Sequence, residues 1–355
     1  MYFELAFSLR GERLMLRKLI SILLMVIFLA IINRYYFSDL ESLKKENNTP
    51  PPAIEKINLG AELSLLSAPI WIAEYHGYFK QQGLDVNIIE FDSGKASFMA
   101  MLEQQGVDIS TVAPTPIMFS SFNRQDFSII ATFVHSDDDV KVIARNDKGI
   151  IKAKDLVGKK IATPSGTTGQ FFVDAFLTFN NIPVSQVEIL NISPANLPEA
   201  LQKDRVDAIV IWEPHAYEAQ QLMHDKTIRI PSKNIYMETF NFMAMNRFTN
   251  THPESIKKFL LAISKAINFI DNNQQLAQQI VARKLVLDEK IVKHLWPDYN
   301  YALSLNQELI VTLEMEARWA VREKLTDKIE IPNYFNYIYF QALEQINPKG
   351  VNIFQ

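Results

Sequence analysis

Short apolar runs alternate with helical patterns from Lys56 to about residue 250. This alternation is typical of an α/β protein with mainly parallel strands. The predicted strands are Ile57–Ala61, Val86–Phe91, Ile109–Val112, Ile129–Phe133, Val140–Arg145, Lys160–Ala162, Val187–Asn191, Ala208–Ile211 and Phe242–Met245. Helices are predicted after Ser67, from Lys95, from Thr115 or Pro116, from Thr167 or Thr168, and from Asn196 or Pro198, by the hydroxyl, glycine and proline signals that begin or end helices.

The carboxyl-terminal third predicts long helices instead. Between Glu254 and Asp271 the apolar residues recur at steps of three and four, which indicates an amphipathic helix with one buried face. These residues are Ile256, Phe259, Leu260, Ile263, Ile267 and Ile270. The sequence shows no repeat of fixed period, so neither a solenoid nor a propeller is expected.

The amino terminus combines positive charge with an apolar run. Arg10, Arg13, Arg17 and Lys18 precede the run Leu19–Ile32. Its helical length of about 21 Å is short of the roughly 30 Å hydrocarbon core, so a signal peptide and a membrane anchor both stay open on length. Because no small-residue cleavage site follows the run, we expect an uncleaved anchor over residues 16–36, within an amino-terminal segment 1–37.

The distribution of charge around this run predicts its orientation. Basic residues precede it, which places residues 1–18 in the cytoplasm and the chain after about residue 37 on the periplasmic or extracytoplasmic face. Residues 38–56 are polar and include Pro50, Pro51 and Pro52. Proline-rich segments are extended, so we expect this segment to tether the globular part to the membrane.

Charge and cysteine content exclude several classes of function. The chain has 36 basic and 40 acidic side chains, a formal net charge of −4, and it therefore lacks the basic excess of a nucleic-acid-binding protein. It has no cysteine, which excludes disulfides, cysteine-ligated metals, thiol nucleophiles and a lipid-modified cysteine. We expect a monomer without nucleic-acid partners.

Small hydroxyl and glycine residues occupy several predicted strand-to-helix turns. They are Ser67, Ser93, Gly94, Thr115, Ser165, Gly166, Thr167 and Thr168. In an open α/β sheet such turns meet at the carboxyl ends of the strands, where free N–H groups attract polar or anionic ligand groups. Helix capping alone also explains each single turn. The 165–169 turn is no Walker A motif, because Gln170 follows Gly169.

A second candidate feature is Trp212-Glu213, directly after the predicted strand ending at Ile211. An indole and a carboxylate at a strand end fit a pocket for a cationic or amine-bearing group. The alternative is a packed tryptophan beside a solvated glutamate. The run His135–Asp139 is expected to be a solvated loop. No metal or nucleophile motif is present, so we expect neither enzyme activity nor a catalytic residue, metal or cofactor.

Several motifs occur together in a fixed order along the chain. They are Ala68-Pro69, Ala73–Val86 (AEYHGYFKQQGLDV), Gly106–Ile109, Asp155–Ala162 (DLVGKKIA), Ser165-Gly166, Val206–Ala208 and Trp212–Pro214. This order resembles the periplasmic substrate-binding proteins of the nitrate, sulfonate and taurine type, whose superfamily also includes binders of thiamine-pyrimidine precursors. The resemblance covers roughly residues 57–315.

The resemblance implies a hinged, two-lobed, type II periplasmic-binding-protein fold that delivers a ligand to the permease and ATPase subunits of an ABC importer. It implies one lobe from residues 57–145 plus 238–355 and another from residues 146–237. By the same resemblance the hydroxyl and glycine turns and Glu213 match places where the family contacts its ligand.

The chemistry of the ligand stays open between two classes. A sulfonate-like anion would use the helix N–H groups, with Lys95 as a possible added charge. Glu213 would repel an anion unless a basic side chain neutralised it, and would favour an amine or pyrimidine-type compound stacked on Trp212, Phe240 or Phe242. We favour a small polar organic ligand, with nitrogen-bearing compounds among the candidates. A membrane-tethered ligand sensor without a transport role is the alternative function, since the chain has an apparent anchor and no lipid-modified cysteine.

Overall fold

The structure, a computed structural model, describes residues 21, 23–35 and 54–353. Residues 23–35 are helical (α1), and the residues from Ile54 onwards form a compact unit. Over these described ranges no helix has both the length and the apolar character needed to span a membrane. The predicted anchor falls partly, and the predicted tether almost wholly, outside the described residues, so both stay predictions.

Two mixed sheets organise the compact unit. The first has the strand order β12-β11-β4-β10-β3-β1-β2 and the second the order β7-β6-β8-β5-β9. The strands are β1 Glu55–Glu62, β2 Leu84–Phe91, β3 Ile109–Val112, β4 Phe127–Ser136, β5 Lys141–Arg145, β6 Lys160–Thr163, β7 Glu188–Asn191, β8 Ala208–Ile211, β9 Thr227–Ile230, β10 Glu238–Met245, β11 Asn300–Asn306 and β12 Val351–Asn352.

Helices cover both sheets. They are α2 Ala68–Tyr75, α3 Tyr78–Gln81, α4 Gly94–Leu102, α5 Pro114–Ser121, α6 Thr168–Phe179, α7 Leu197–Gln202, α8 His215–Met223, α9 Asn246–Thr251, α10 Pro253–Asn272, α11 Gln274–Leu285, α12 Glu289–Leu295, α13 Gln307–Arg322 and α14 Gln341–Ile346. The predicted one-faced helix is confirmed as α10, which buries its apolar stripe against α2 and α3 and stacks Phe259 on Phe79 with ring centroids 5.5 Å apart.

All nine predicted strands form, but the prediction of mainly parallel strands is wrong. Strand β10 runs antiparallel to β3 and β4, β11 to β4, and β5 to β8 and β9, which is five of the ten described pairings. Strands β4 and β5 flank one connection between the sheets, and β9 and β10 flank the other; each of the five antiparallel pairings includes at least one of these four strands. Local hydrophobic pattern does not record strand direction.

The two sheets are the cores of two lobes, joined by residues 137–140 and 231–237. Ser136 at the end of β4 pairs with Glu238 at the start of β10, so the two connections leave the first sheet side by side. Strand Lys141–Arg145 pairs within the second sheet, although the sequence assigned it to the first lobe. The change of lobe therefore precedes Lys141.

Candidate functional site

A narrow cleft lies between the lobes. Its free volume is only about 20 Å³. The first lobe lines it with Glu62, Leu66, Ser93, Gly94, Lys95, Ala113, Pro116, Glu238 and Phe240, and the second lobe with Thr167, Thr168 and Trp212. Because both lobes contribute walls, relative movement of the lobes would open or close this cleft.

Strand direction explains why these residues meet. Strands β1 and β3 are parallel and end at the cleft, where Glu62 is the last residue of β1 and Ala113 follows β3. Strand β10 is antiparallel to β3, with Asn241 opposite Val112, so its first residues Glu238 and Phe240 reach the same edge. The cleft thus lies at the carboxyl ends of parallel strands, the usual ligand position in an open α/β sheet.

A larger groove of about 510 Å³ lies at the opposite edge of the first sheet. It is lined by residues such as Met101, Asp108 and Arg247, all from the first lobe. None of the predicted site residues lines it, so the cleft between the lobes is the candidate site.

Glu62 is a buried carboxylate in the wall of the cleft, only 4% exposed. Its Oε2 accepts a hydrogen bond of 2.6 Å from the backbone N–H of Gly94, the first residue of α4, while Oε1 has no well-formed hydrogen bond. Burial, together with the carboxylate of Asp139, raises the pKa of Glu62 to about 8, and the Gly94 N–H and the Ser64 hydroxyl offset only part of that rise.

Glu238 is the second carboxylate in the wall and is equally buried. Its Oε2 has no well-formed hydrogen bond. Burial and the carboxylate of Asp139 raise the pKa of Glu238 well above its ordinary value, and the nearby hydroxyl of Thr168 lowers it only in part. We call Glu62 and Glu238 the acidic pair.

Glu213 lies just outside the cleft. Its Oε1 is 2.9 Å from Nζ of Lys141, and its Oε2 accepts a 2.8 Å hydrogen bond from the N–H of Tyr217. Asp298 is 3.0 Å from the same Nζ. Burial lowers the pKa of Lys141, but these two carboxylates more than offset it and raise the pKa overall. Glu213 is therefore neutralised inside the protein, and its charge no longer argues for an amine ligand. We call Lys141, Glu213 and Asp298 the Lys141 cluster.

The interpretation of residues 135–139 as a solvated loop is wrong for Asp138 and Asp139, which are both buried. Asp138 forms an ion pair with Arg229. Asp139 accepts a hydrogen bond from the Tyr299 hydroxyl, and burial raises its pKa to about 7. These residues form the first connection between the lobes, where packing from both sides excludes water.

The structure brings five of the ten predicted residues to the cleft: Ser93, Gly94, Thr167, Thr168 and Trp212. Ser93 caps α4 through its Oγ, which accepts from the N–H of Ala96 at 3.2 Å. The Thr167 hydroxyl donates to the carbonyl of Pro164 at 2.7 Å.

The other five predicted residues lie outside the lining. They are Ser67, Thr115, Ser165, Gly166 and Glu213. The hydroxyls of Ser67 and Thr115 are fully buried without a well-formed hydrogen bond. Ser165 is exposed, and Gly166 donates its N–H to Oε1 of Gln170 at 2.6 Å. Whether these residues contact a ligand stays a prediction.

Lys95 connects the two lobes. It follows Gly94 in α4 of the first lobe, and its Nζ donates a 2.8 Å hydrogen bond to the carbonyl of Ser165 in the second lobe. Burial lowers the pKa of Lys95. Lys95 is also the basic side chain that lines the cleft, and its ammonium is thus already engaged with a carbonyl oxygen.

Sequence reasoning missed the acidic pair. Glu62 follows the predicted strand Ile57–Ala61 directly, the position that marked Trp212 and Glu213, so a signal was present. Glu238 carries no such signal, because only the antiparallel direction of β10 brings the start of that strand to the cleft. Phe240 does line the cleft, whereas Phe242 is fully buried and stacks on Phe133 with ring centroids 4.0 Å apart.

Comparison with known proteins assigns the family. Residues 66–277 match the NMT1/THI5-like family, more than half of the chain. The chain belongs to the NMT1/THI5-like family. The matched region includes the motifs that carried the predicted resemblance and extends over the second lobe, and it therefore confirms that resemblance.

Individual relatives agree with this assignment. A putative aliphatic sulfonates-binding protein of Bacillus subtilis is 26% identical over 309 residues, which are 84% of this chain and 91% of the relative. The taurine-binding periplasmic protein of Escherichia coli is 25% identical over 210 residues, 58% of this chain and 64% of the relative. Both are named as binding proteins.

A solved structure shows the same fold. The alkanesulfonate-binding protein SsuA from Xanthomonas axonopodis pv. citri, bound to MOPS, matches with a TM-score of 0.72 at 16% identity, over 81% of this chain and 99% of that protein. This similarity confirms the predicted periplasmic-binding-protein fold of this member of the NMT1/THI5-like family.

Proposed function

We propose that this protein is an extracytoplasmic solute-binding protein that holds a small polar organic ligand between its lobes and delivers it to an ABC importer. The observation that carries the proposal is the cleft at the strand ends, whose walls come from both lobes. The names of the sulfonate-binding and taurine-binding relatives support it. The ligand contacts are Ser93, Gly94, Thr167, Thr168 and Trp212, and no catalytic step is proposed.

Closure of the lobes follows from the same geometry. A ligand that contacts both walls interacts more strongly with the closed than with the open arrangement, and it therefore shifts the population towards closure. The permease then has a distinct closed surface to recognise. The predicted anchor would keep the protein at the outer face of the membrane beside its permease and ATPase.

Native mass spectrometry of the full chain, purified in mild detergent without refolding, tests the proposal. A small molecule released on denaturation is the expected result, and adding it back at a hundredfold excess over Kd should stabilise the protein by about 2.7 kcal/mol. Uptake of that molecule should be lost when the permease or the ATPase is inactivated. Binding without any such uptake would support the ligand sensor instead, and the absence of any bound or binding molecule would contradict both.

A further inference from the structure

The cleft wall contains two carboxylates without a neutralising partner. Glu62 and Glu238 are each 4% exposed, and each keeps one oxygen, Oε1 of Glu62 and Oε2 of Glu238, that makes no well-formed hydrogen bond. Leaving such oxygens buried and unpaired is costly. In a wall that both lobes enclose, these oxygens are available to a group that enters the cleft.

The surrounding charges add to the negative potential. Asp139 is close enough to the acidic pair for its charge to act on both members, and Asp92 acts on Glu62 as well. The nearby Lys141 is held by Glu213 and Asp298. Lys95 donates to the Ser165 carbonyl. When these carboxylates are ionised, the cleft therefore presents more negative than positive charge, which opposes an anion and attracts a cation.

The remaining walls suit a cation with an apolar body. Trp212 and Phe240 are almost fully buried and line the cleft from opposite lobes. Aromatic faces attract ammonium and amidinium groups, most strongly where water is excluded. Leu66, Ala113 and Pro116 supply apolar surface, and the Thr168 hydroxyl adds one polar group.

We propose that the cleft selects a small monovalent organic cation, an ammonium or amidinium compound, with Glu62 and Glu238 as its counter-charges and Trp212 and Phe240 as its aromatic walls. This inference rests on the proposed function and names the ligand class. It differs from the anion implied by the names of the sulfonate-binding relatives. Within residues 21, 23–35 and 54–353 no group of three or more metal-binding side chains occurs, so the ligand class is an organic cation and not a metal ion.

This assignment also gives closure a physical cause. Closing Thr167, Thr168 and Trp212 over the first lobe removes water from both members of the acidic pair. Removing water from an ionised carboxylate is unfavourable on its own, and an enclosed monovalent cation compensates one such negative charge. The ligand thereby gains its preference for the closed arrangement from charge as well as from contact.

The sign of the pH dependence separates a cation from an anion. The pKa of Glu62, raised to about 8, means that its carboxyl is mostly protonated in the closed cleft near pH 7, and burial raises the pKa of Glu238 in the same direction. A monovalent cation is favoured by the loss of one proton from the acidic pair, so its affinity rises between pH 6 and pH 8. An anion would accept hydrogen bonds from the protonated carboxyls, so its affinity would fall over the same range.

Calorimetry and thermal melting on the full chain in mild detergent test the inference with matched probes. Propylammonium and acetamidinium, which stay cationic from pH 6 to pH 8, are compared with propanesulfonate and nitrate. We expect one of the cations to raise the Tm and to bind more tightly at pH 8 than at pH 6, with proton release. Glu62→Gln and Glu238→Gln should each weaken this binding at least about tenfold.

Glu188→Gln is the control, because Glu188 is an exposed carboxylate on the outer strand β7 of the second sheet; it should change the affinity less than twofold. Glutamine keeps the volume of glutamate, and a cooperative melt at pH 5 verifies that each variant is folded.

Preferential binding of propanesulfonate or nitrate would overturn the cation assignment and leave the solute-binding function standing. Stronger stabilisation by calcium or sodium ions than by either organic cation would overturn the organic class. No binding of either cation would overturn the inference, and no binding of any probe would count against the proposed function as well.

Discussion

Glu213 in the Lys141 cluster and Glu62 in the cleft are the same side chain in similar places. Both are buried and both stand at or just after the end of a strand, β8 for Glu213 and β1 for Glu62. Glu213 has an ammonium at 2.9 Å, whereas Glu62 has one backbone N–H and one oxygen without a well-formed bond. A paired buried carboxylate maintains the fold, and an unpaired one in a cavity wall is available for a ligand.

The largest expected effect on stability comes from removing Lys141, the partner of the buried Glu213. Lys141→Met leaves Glu213 buried without its counter-charge, and Asp298 with it. Removing one member of a buried ion pair typically costs about 3–5 kcal/mol, and we expect a loss of that size in the free energy of unfolding, measured by urea denaturation. Lys203→Met removes an exposed lysine that pairs with Glu199 and should change stability by less than about 0.5 kcal/mol. Similar losses in both variants would contradict a special role for the Lys141 cluster.

The unpaired carboxyl of Glu62 should make the free energy of unfolding depend on pH. The pKa of Glu62 is about 8 in the folded chain against an ordinary value of 4.5, so between these values the folded state binds more protons than the unfolded state. Stability therefore falls as pH rises through this window. Glu62→Gln removes that titration. The variant should match the parent at pH 5 and exceed its stability at pH 8.5 by about 1–3 kcal/mol.

Asp139, Glu238 and Glu316 also have raised pKa values from burial, so the parent curve falls for several reasons. Only the difference between parent and variant isolates Glu62. Urea denaturation at five pH values without added ligand measures it. A constant difference across the window would show that Glu62 keeps an ordinary pKa and is not desolvated in the cleft.

Gly94→Ala tests how tightly the unpaired glutamate is held. Gly94 donates the N–H that Glu62 accepts, and a Cβ on it would lie 2.7 Å from the ring of Phe240 and 3.1 Å from Cα of Val112. Because backbone cannot yield as a side chain does, we expect a loss of about 1–3 kcal/mol in unfolding free energy and weaker ligand binding. Ala96→Ser, at a half-buried position in the same helix, should leave both nearly unchanged. Full retention of stability and binding by Gly94→Ala would show that the cleft accommodates an added methyl group at this position.

The sequence was sufficient for the positions of nine of the twelve described strands, all except β9, β11 and β12, and for the turns that contain Ser93, Gly94, Thr167 and Thr168. It was insufficient wherever distant segments meet. The sequence marks Glu213 as a charged group at a strand end but does not show its partner Lys141, which lies in another strand and is brought opposite Ile211 by an antiparallel pairing. Glu238 was missed for the same reason. Strand direction depends on the connections between lobes, which local periodicity does not encode.

The smallest expected effect concerns Lys95, the basic side chain of the cleft. Its Nζ contacts the Ser165 carbonyl at 2.8 Å across the lobes, but the site is partly exposed, so we assign the contact only about 0.5–1 kcal/mol. Lys95→Ala should therefore shift the balance of open and closed lobes by about two- to fivefold. The chain has no cysteine, so spin labels can be attached specifically at Asn123→Cys in the first lobe and Ser185→Cys in the second. The distance between the two labels reports the closure of the lobes. Lys203→Ala is the control. An unchanged distance distribution in Lys95→Ala would mean that closure depends on the acidic pair and its ligand rather than on this contact.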